Sequence, residues 1–374
     1  MTETNTTLTT QPNMANRPYN SITPPTVPMV TQKRDLLTPR RFEDWRLGIP
    51  FDVTIPTNEV PYIIAVGGGK GGVGKTMVSA NLAAKLAQAG NQVLVVDFDI
   101  GGANLHTYFG LGMPKRTLSD LLHPRYEDNG TLFQEIALPT SFKGVRVIPG
   151  SREDAWHIYS NWTGDLFHHV WQGILLARKN LGVNCVILDL GAGIHQHTID
   201  FFAAAHSGVI VVLPEPTSIE NAYMFLKAVL WHLVSNSARQ LMMPDEQINA
   251  IKELLTSEKM ASVLGQGGYL GRLRLLAKRY PLLANKIFRM LQGREIGLVL
   301  NQARCQKDID VGKSMEHICK NYFGFLTRYL GFFNYDDVAW KSLKNQKLLV
   351  ADFPHSLLAK RISDVAMKIC NTRI

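Results

Sequence analysis

The run Gly67-Gly68-Gly69-Lys70-Gly71-Gly72-Val73-Gly74-Lys75-Thr76 brings together the residue types that hold a polyphosphate. Gly69 to Thr76 satisfies the pattern GxxxxGK[ST], in which glycines let successive backbone N–H groups converge on one phosphate. Lys75 then reaches the β- and γ-phosphates, and the Thr76 hydroxyl is offered to Mg²⁺. The expected nucleotide-binding set is therefore Gly69, Lys70, Gly71, Gly72, Val73, Gly74, Lys75 and Thr76, with Mg²⁺ beside the phosphates. Two acidic segments complete the chemistry. In Val93-Leu94-Val95-Val96-Asp97-Phe98-Asp99 the aspartates alternate at strand spacing, so both side chains can leave a sheet on one side, toward the phosphates. Val186-Ile187-Leu188-Asp189 ends on a carboxylate that can hold a metal-bound water, and Gly193 can set a backbone N–H against the γ-phosphate. Phosphoryl transfer to water needs no covalent nucleophile, so no Ser/His/Asp set is required.

These residues need strands that end at one edge and a helix that starts behind the glycine loop. Apolar runs of strand length occur at Tyr62–Val66, Gln92–Val96, Val145–Ile148, Cys185–Leu188, Val209–Leu213, Ile296–Leu300 and Tyr329–Phe333, with a helix expected at about Lys75–Gln88. Continuous rather than alternating apolar strands imply burial on both faces, and helices between them imply parallel crossovers. The expected fold is α/β, a doubly wound, mostly parallel sheet flanked by helices. The phosphate loop follows the first strand and opens the first helix, whose positive end faces the bound anion.

Composition sets the outer bounds. The chain has 374 residues, 45% hydrophobic and 19% charged, with a net charge of +9. That excludes a wholly disordered or collagen-like chain. No stretch reaches the ~18 apolar residues of a membrane-spanning helix, and the first thirty residues lack the apolar core of a secretory signal. Cys185, Cys305, Cys319 and Cys370 form no CxxC pair and fit a reducing compartment, so a cytoplasmic location is expected. Residues 1–60 divide into a Thr-, Asn- and Pro-rich tail, expected to be disordered, and a short bridge. One domain is expected over 61–374.

With Lys70 inside the loop and GKGGVGKT followed by Asn81-Leu82-Ala83, the sequence resembles the MinD/ParA family of deviant-Walker ATPases. Asp97-Phe98-Asp99 running into Asn104-Leu105-His106 resembles that family's switch I. The NLH ending is closest to the flagellar-number regulators FlhG/FleN and their MinD-like relatives. Asp189-Leu190-Gly191-Ala192-Gly193 resembles Walker B running into switch II. Leu213-Pro214-Glu215 to Tyr223 looks like the loop and helix start of the same branch, with Ser218 as a helix cap. The resemblance, over about Pro61–Lys368, implies a P-loop ATPase that dimerises with ATP. Lys70 would cross the dimer interface to the partner's nucleotide, Lys75 and Asp99 would join it as catalytic residues, and Asp99 would position the attacking water. Thr76, Asp97 and Asp189 would form the metal side, and Asn301 would contact the adenine. His106 is read as structural. For the residues alone the alternatives stay open: Lys70 as a solvated lysine, Asp97 as a strand-end helix cap, Asn301 as a turn former.

The implied function is spatial: an ATP-bound dimer that positions or counts a cell structure such as a flagellum, reset by hydrolysis. A ParA-like partition ATPase acting on DNA is the alternative, and a nucleotide-binding scaffold with negligible turnover is a reading from another class. Expected partners are a second copy of the chain and an activating protein. A helical insertion at about 236–294 adds a third surface, because Lys259 to Arg294 holds eight basic residues and no Asp or Glu. Arg272, Arg274, Lys278 and Arg279 in it are candidate contacts to an anionic membrane surface, on the inner face, or to nucleoid DNA, against the plain reading of a solvated face. The C-terminal amphipathic helix of MinD, the N-terminal DQAxxL helix of FlhG and an N-terminal helix-turn-helix are all expected to be absent.

Overall fold

The computed structural model describes residues 59–122, 132–151, 162–256 and 268–371, all within one unit spanning Thr38–Ile374. The tail and most of the bridge, residues 1–58, lie outside the described residues, as does Lys259. In chain order the elements are β1 (Tyr62–Gly67), α1 (Lys75–Gln88), β2 (Val93–Phe98), α2 (Leu105–Tyr108), α3 (Leu118–Leu122), α4 (Leu132–Ile136), β3 (Leu138–Pro139) and β4 (Val145–Ile148). Then follow α5 (Gly164–Leu181), β5 (Cys185–Leu190), α6 (Gln196–Ala204), β6 (Ser207–Val212), α7 (Pro216–Gln240), α8 (Asp245–Thr256), α9 (Gly268–Arg279) and α10 (Pro281–Gly293). The chain continues through β7 (Glu295–Ala303), α11 (Gln306–Ile318), a π-helical turn (Cys319–Phe323), β8 (Leu326–Asn334), α12 (Asp337–Lys344), α13 (Leu349–Asp352) and α14 (Leu357–Asn371).

The sheet runs β3-β4-β2-β5-β1-β6-β7-β8, and every pairing is parallel except β3 with β4. That two-residue antiparallel edge was not expected, because it is too short to leave a periodic signal. β1, β2 and β5 are buried almost throughout, as their unbroken apolar runs predict. Alternate residues of β1 serve opposite cores: Ile63 and Ala65 pack with Trp171, Phe201 and Phe225 on one face, Ile64 and Val66 with Leu82, Ile362 and Val365 on the other. The central position of β1 between β5 and β6 puts the loop after it at the middle of the sheet's carboxyl edge, where ligands of open α/β sheets bind.

The expected start of the helical insertion, about residue 236, falls inside a helix. α7 carries a continuous buried face from Ala222 to Ala238 and runs through residue 236 without a break. α8, α9 and α10 lie between it and β7.

Candidate phosphate-binding site

The phosphate loop is held in place by glycines that no other residue could replace without displacement. A Cβ on Gly69 would lie 2.0 Å from the carbonyl oxygen of Asn221, so the loop can rest on the first turns of α7 only without a side chain there. Gly74 has φ +95°, a left-handed conformation that suits glycine, and serves as the N-cap of α1 without a side-chain bond. The first N–H groups of α1 are thus left to an incoming anion. Asn301, buried at the end of the β7 core stretch, donates through Nδ2 to the Val73 carbonyl at 2.8 Å, and its Oδ1 accepts from the Gln302 N–H at 2.9 Å. Its amide therefore braces the back of the loop, and contact with a purine edge would require it to exchange these bonds.

Lys75 is only 6% exposed. Its Nζ makes one long hydrogen bond, 3.4 Å, to the Lys70 carbonyl. Burial lowers its pKa, while Asp189 and Asp99 work against that shift. Asp189 ends β5, paired in register with Asp97 of β2. Its Oδ1 accepts from the Ser79 hydroxyl at 2.8 Å, whereas Oδ2 is buried with no hydrogen-bond partner. A buried carboxylate oxygen without a donor, beside the Thr76 hydroxyl, suits a hydrated divalent cation. The residues present thus fit Mg²⁺. Ser79 was not foreseen; it lies one helical turn beyond Lys75, and that spacing was the available signal.

Asp97 is fully buried and spends both oxygens on backbone N–H groups: Oδ2 on Asn104 and Leu105 at 3.1 and 3.0 Å, Oδ1 on Asp99 at 3.0 Å. It holds the turn that opens α2, the cap-like role open for it in the sequence, and it stands beside Asp189 as a second carboxyl group. Burial first, then the neighbouring Asp189, pushes Asp97 upward; burial likewise raises Asp189, with the Thr76 and Ser79 hydroxyls and Lys75 opposing. Asp99 is only half buried, lies against Gly102 and Gly191, and is raised by burial against the pull of Lys75. Gly193 sits between β5 and α6, on the same side as Asp99. His106 is buried within α2.

Lys70 departs from its loop. Its Nζ lies 2.9 Å from Glu215 Oε2 and 3.2 Å from Thr217 Oγ1, the first residues of the α7 segment. Neither partner was foreseen. Ser218 is not the helix cap: Glu215 holds that position, and the Ser218 hydroxyl instead accepts from the Leu213 N–H at 3.0 Å, closing the turn after β6.

The basic insertion requires a correction. Arg272 is not on the surface. It is 6% exposed, its guanidinium donates to the Leu255 carbonyl at the end of α8, and it stacks over Tyr269. Arg294 is also buried, and Lys286 bonds to Gln240. Arg274, Lys278, Arg279 and Arg289 remain exposed.

Residues 64–357 match the model of the CobQ/CobB/MinD/ParA nucleotide binding domain. The antiactivator FleN of Pseudomonas aeruginosa is 37% identical over 167 residues, 44% of this chain and 55% of that protein. The flagellum site-determining protein YlxH of Helicobacter pylori is 36% identical over 165 residues, 44% of this chain and 52% of that protein. The chain spans about half the length of each of these two relatives. Among solved structures, the septum site-determining protein MinD complexed with Mg-ADP from Pyrococcus horikoshii superposes with a TM-score of 0.54 at 20% identity, covering 83% of this chain and 96% of that one. This last likeness is one of fold.

Proposed function

Since the chain belongs to the CobQ/CobB/MinD/ParA nucleotide-binding family, we propose that it is a Mg²⁺-dependent ATPase whose ATP-bound dimer positions or counts a cell structure, with hydrolysis resetting the dimer. The observation that carries this reading is the convergence of Lys75, Asp99 and Asp189 around the uncapped start of α1. Lys75 and the N–H groups of Gly71 to Thr76 would hold the β- and γ-phosphates. Thr76 and Asp189 would hold Mg²⁺, with Asp97 behind them, and the ion would supply charge neutralisation on the phosphates. Asp99 would orient the attacking water, and Gly193 would hold the γ-phosphate through its N–H. Asn301, which braces the loop through Val73, would contact the adenine.

Lys70 would act in trans on the nucleotide of a second copy, as an arginine finger does. Its ion pair with Glu215 joins side chains 35% and 53% exposed. Such pairs contribute at most about 1 kcal/mol, so Lys70 can leave Glu215 readily. The likeness to the flagellum site-determining protein YlxH supports placement or counting of a flagellum as the specific task. An activating protein partner and a cytoplasmic location belong to the same reading.

The test is light scattering with ATP together with phosphate release. Asp99→Ala should bind ATP and dimerise yet hydrolyse at least tenfold more slowly. Lys70→Ala should keep monomer affinity for nucleotide but fail to dimerise. A Lys70→Ala protein that dimerises and hydrolyses at the parent rate would return Lys70 to its role as Glu215's surface partner.

A further inference from the structure

Lys75, Thr76 and Ser79 leave the start of α1 on one side of the helix, Lys75 and Ser79 being one turn apart. A serine inside a helix ordinarily turns its hydroxyl to solvent or back to the carbonyl four residues earlier. Ser79 is 0% exposed, and its single hydroxyl proton goes instead to another element: it donates to Asp189 Oδ1 of β5 at 2.8 Å, 110 positions along the chain. The bond ties the helix that carries Thr76 to the strand that carries Asp189. It also breaks the symmetry of the carboxylate. The outer torsion of an aspartate side chain is broad and nearly two-fold, so an untethered carboxylate can present either oxygen. Here Oδ1 is taken, and Oδ2 is left buried, without a hydrogen-bond partner, with the Thr76 hydroxyl beside the same group. Asp97 is the register partner of Asp189 on β2 and, like it, is buried and acidic, so it has no proton donor to offer an ionised neighbour.

We propose that Ser79 is a positioning residue for the divalent cation: by holding Asp189 Oδ1 it leaves Oδ2 as the oxygen that faces the ion, and it fixes the span between Thr76 on α1 and Asp189 on β5. This rests on the reading above in which Thr76 and Asp189 hold Mg²⁺. Ser79 acts only through Asp189. Hydrogen-bond partners that orient metal-ligating side chains set metal affinity by roughly 10–100-fold. The groups that hold the phosphates, the N–H groups of Gly71 to Thr76 and the Lys75 ammonium, do not depend on the Ser79 hydroxyl. Its loss should therefore weaken the hold on the ion and spare the hold on metal-free nucleotide.

The test is titration of the full chain with a fluorescent ADP analogue, first in EDTA and then against rising Mg²⁺, for the parent, Ser79→Ala and Ser237→Ala. Ser237 is an equally buried serine whose hydroxyl meets Met290 Sδ at 3.4 Å, and it is the control for losing a buried hydroxyl. Ser79→Ala should bind the analogue in EDTA within about twofold of the parent, which also shows that the variant is folded, as the high helix propensity of alanine predicts. It should then need at least about fivefold more Mg²⁺ to reach the half-maximal change in affinity. Ser237→Ala should match the parent in both measurements. A rise of less than fivefold in the Mg²⁺ requirement, a loss of the same size in EDTA, or the same rise in Ser237→Ala would overturn the role of Ser79 and leave the metal reading standing. A parent whose affinity does not respond to Mg²⁺ would overturn that reading and the role of Ser79 with it.

Discussion

Lys75 is nearly enclosed, yet its ammonium makes only one long bond to the protein. A buried ammonium in that condition has donors to spare for a ligand. Lys75→Ala should leave the fold intact and weaken ATP binding at least 100-fold by titration of a fluorescent ATP analogue; parent-like affinity would remove the lysine from the phosphate site. His232 carries a different expectation. Its native pKa of about 4 lies below the ~6.5 of an unfolded chain, so the unfolded state binds more protons between those values and stability rises with pH across that window. The stability is complete above pH ~6.5 and is lost as pH falls toward 4, by up to roughly 3 kcal/mol. Asp200 beside it is raised by burial and acts in the opposite sense. Urea midpoints across pH 4–8 should therefore show a smaller acid loss in His232→Gln than in the parent. Parallel profiles would show that the imidazole titrates normally.

At the scale of elements, one basic helix divides into two kinds of arginine. α9 buries Tyr269, Arg272, Leu273 and Leu276, and the Arg272 guanidinium satisfies the Leu255 carbonyl near the end of α8 while lying over Tyr269. That bond closes a helix end that otherwise has a bare C=O. Removing it should leave Leu255 unsatisfied, at about 1–3 kcal/mol. Arg272→Ala is therefore expected to lower stability measurably in urea, whereas Arg274→Ala, two residues on and exposed, should stay within about 0.5 kcal/mol. Equal effects would mean that the two side chains share one environment. The same division explains why counting charge misjudged the surface: helical spacing puts Arg272 one position from Leu273 and one turn from Leu276, on the buried stripe.

For the whole molecule, the question is where the remaining basic face points. Arg274, Lys278 and Arg279 are exposed at the end of α9, and no helix among the described residues is long and apolar enough to cross a membrane. If DNA is the target, binding should weaken with added salt, because each neutralised phosphate releases a counterion; three contacts give a log–log slope near −3, and six across a dimer near −5. Anionic vesicles would instead show dependence on lipid charge, about 1 kcal/mol per basic residue. Co-sedimentation of the parent and of the triple Glu variant across a salt series decides between them, with basal ATPase expected to be unchanged. Identical sedimentation of the two proteins on both surfaces would leave α9 a solvated face.

The sequence by itself determined whatever depends on local pattern. The glycine spacing places the loop, the apolar runs place seven of the eight strands, and Asp97, Asp99 and Asp189 stand at strand ends because each directly follows or closes such a run. Those signals are short-range, so neighbouring residues suffice to read them. What only the tertiary structure decided concerns contacts between residues far apart in sequence. Asn301 reaches 228 positions back to brace Val73, and Glu215 and Thr217 hold Lys70. Ser79 takes Asp189, 110 positions on, and Arg272 reaches across to the Leu255 carbonyl of α8. In each case a polar group is paired by whichever partner the packed sheet brings within about 3 Å, and the need of a buried polar atom for a partner, rather than its residue type, settles its role.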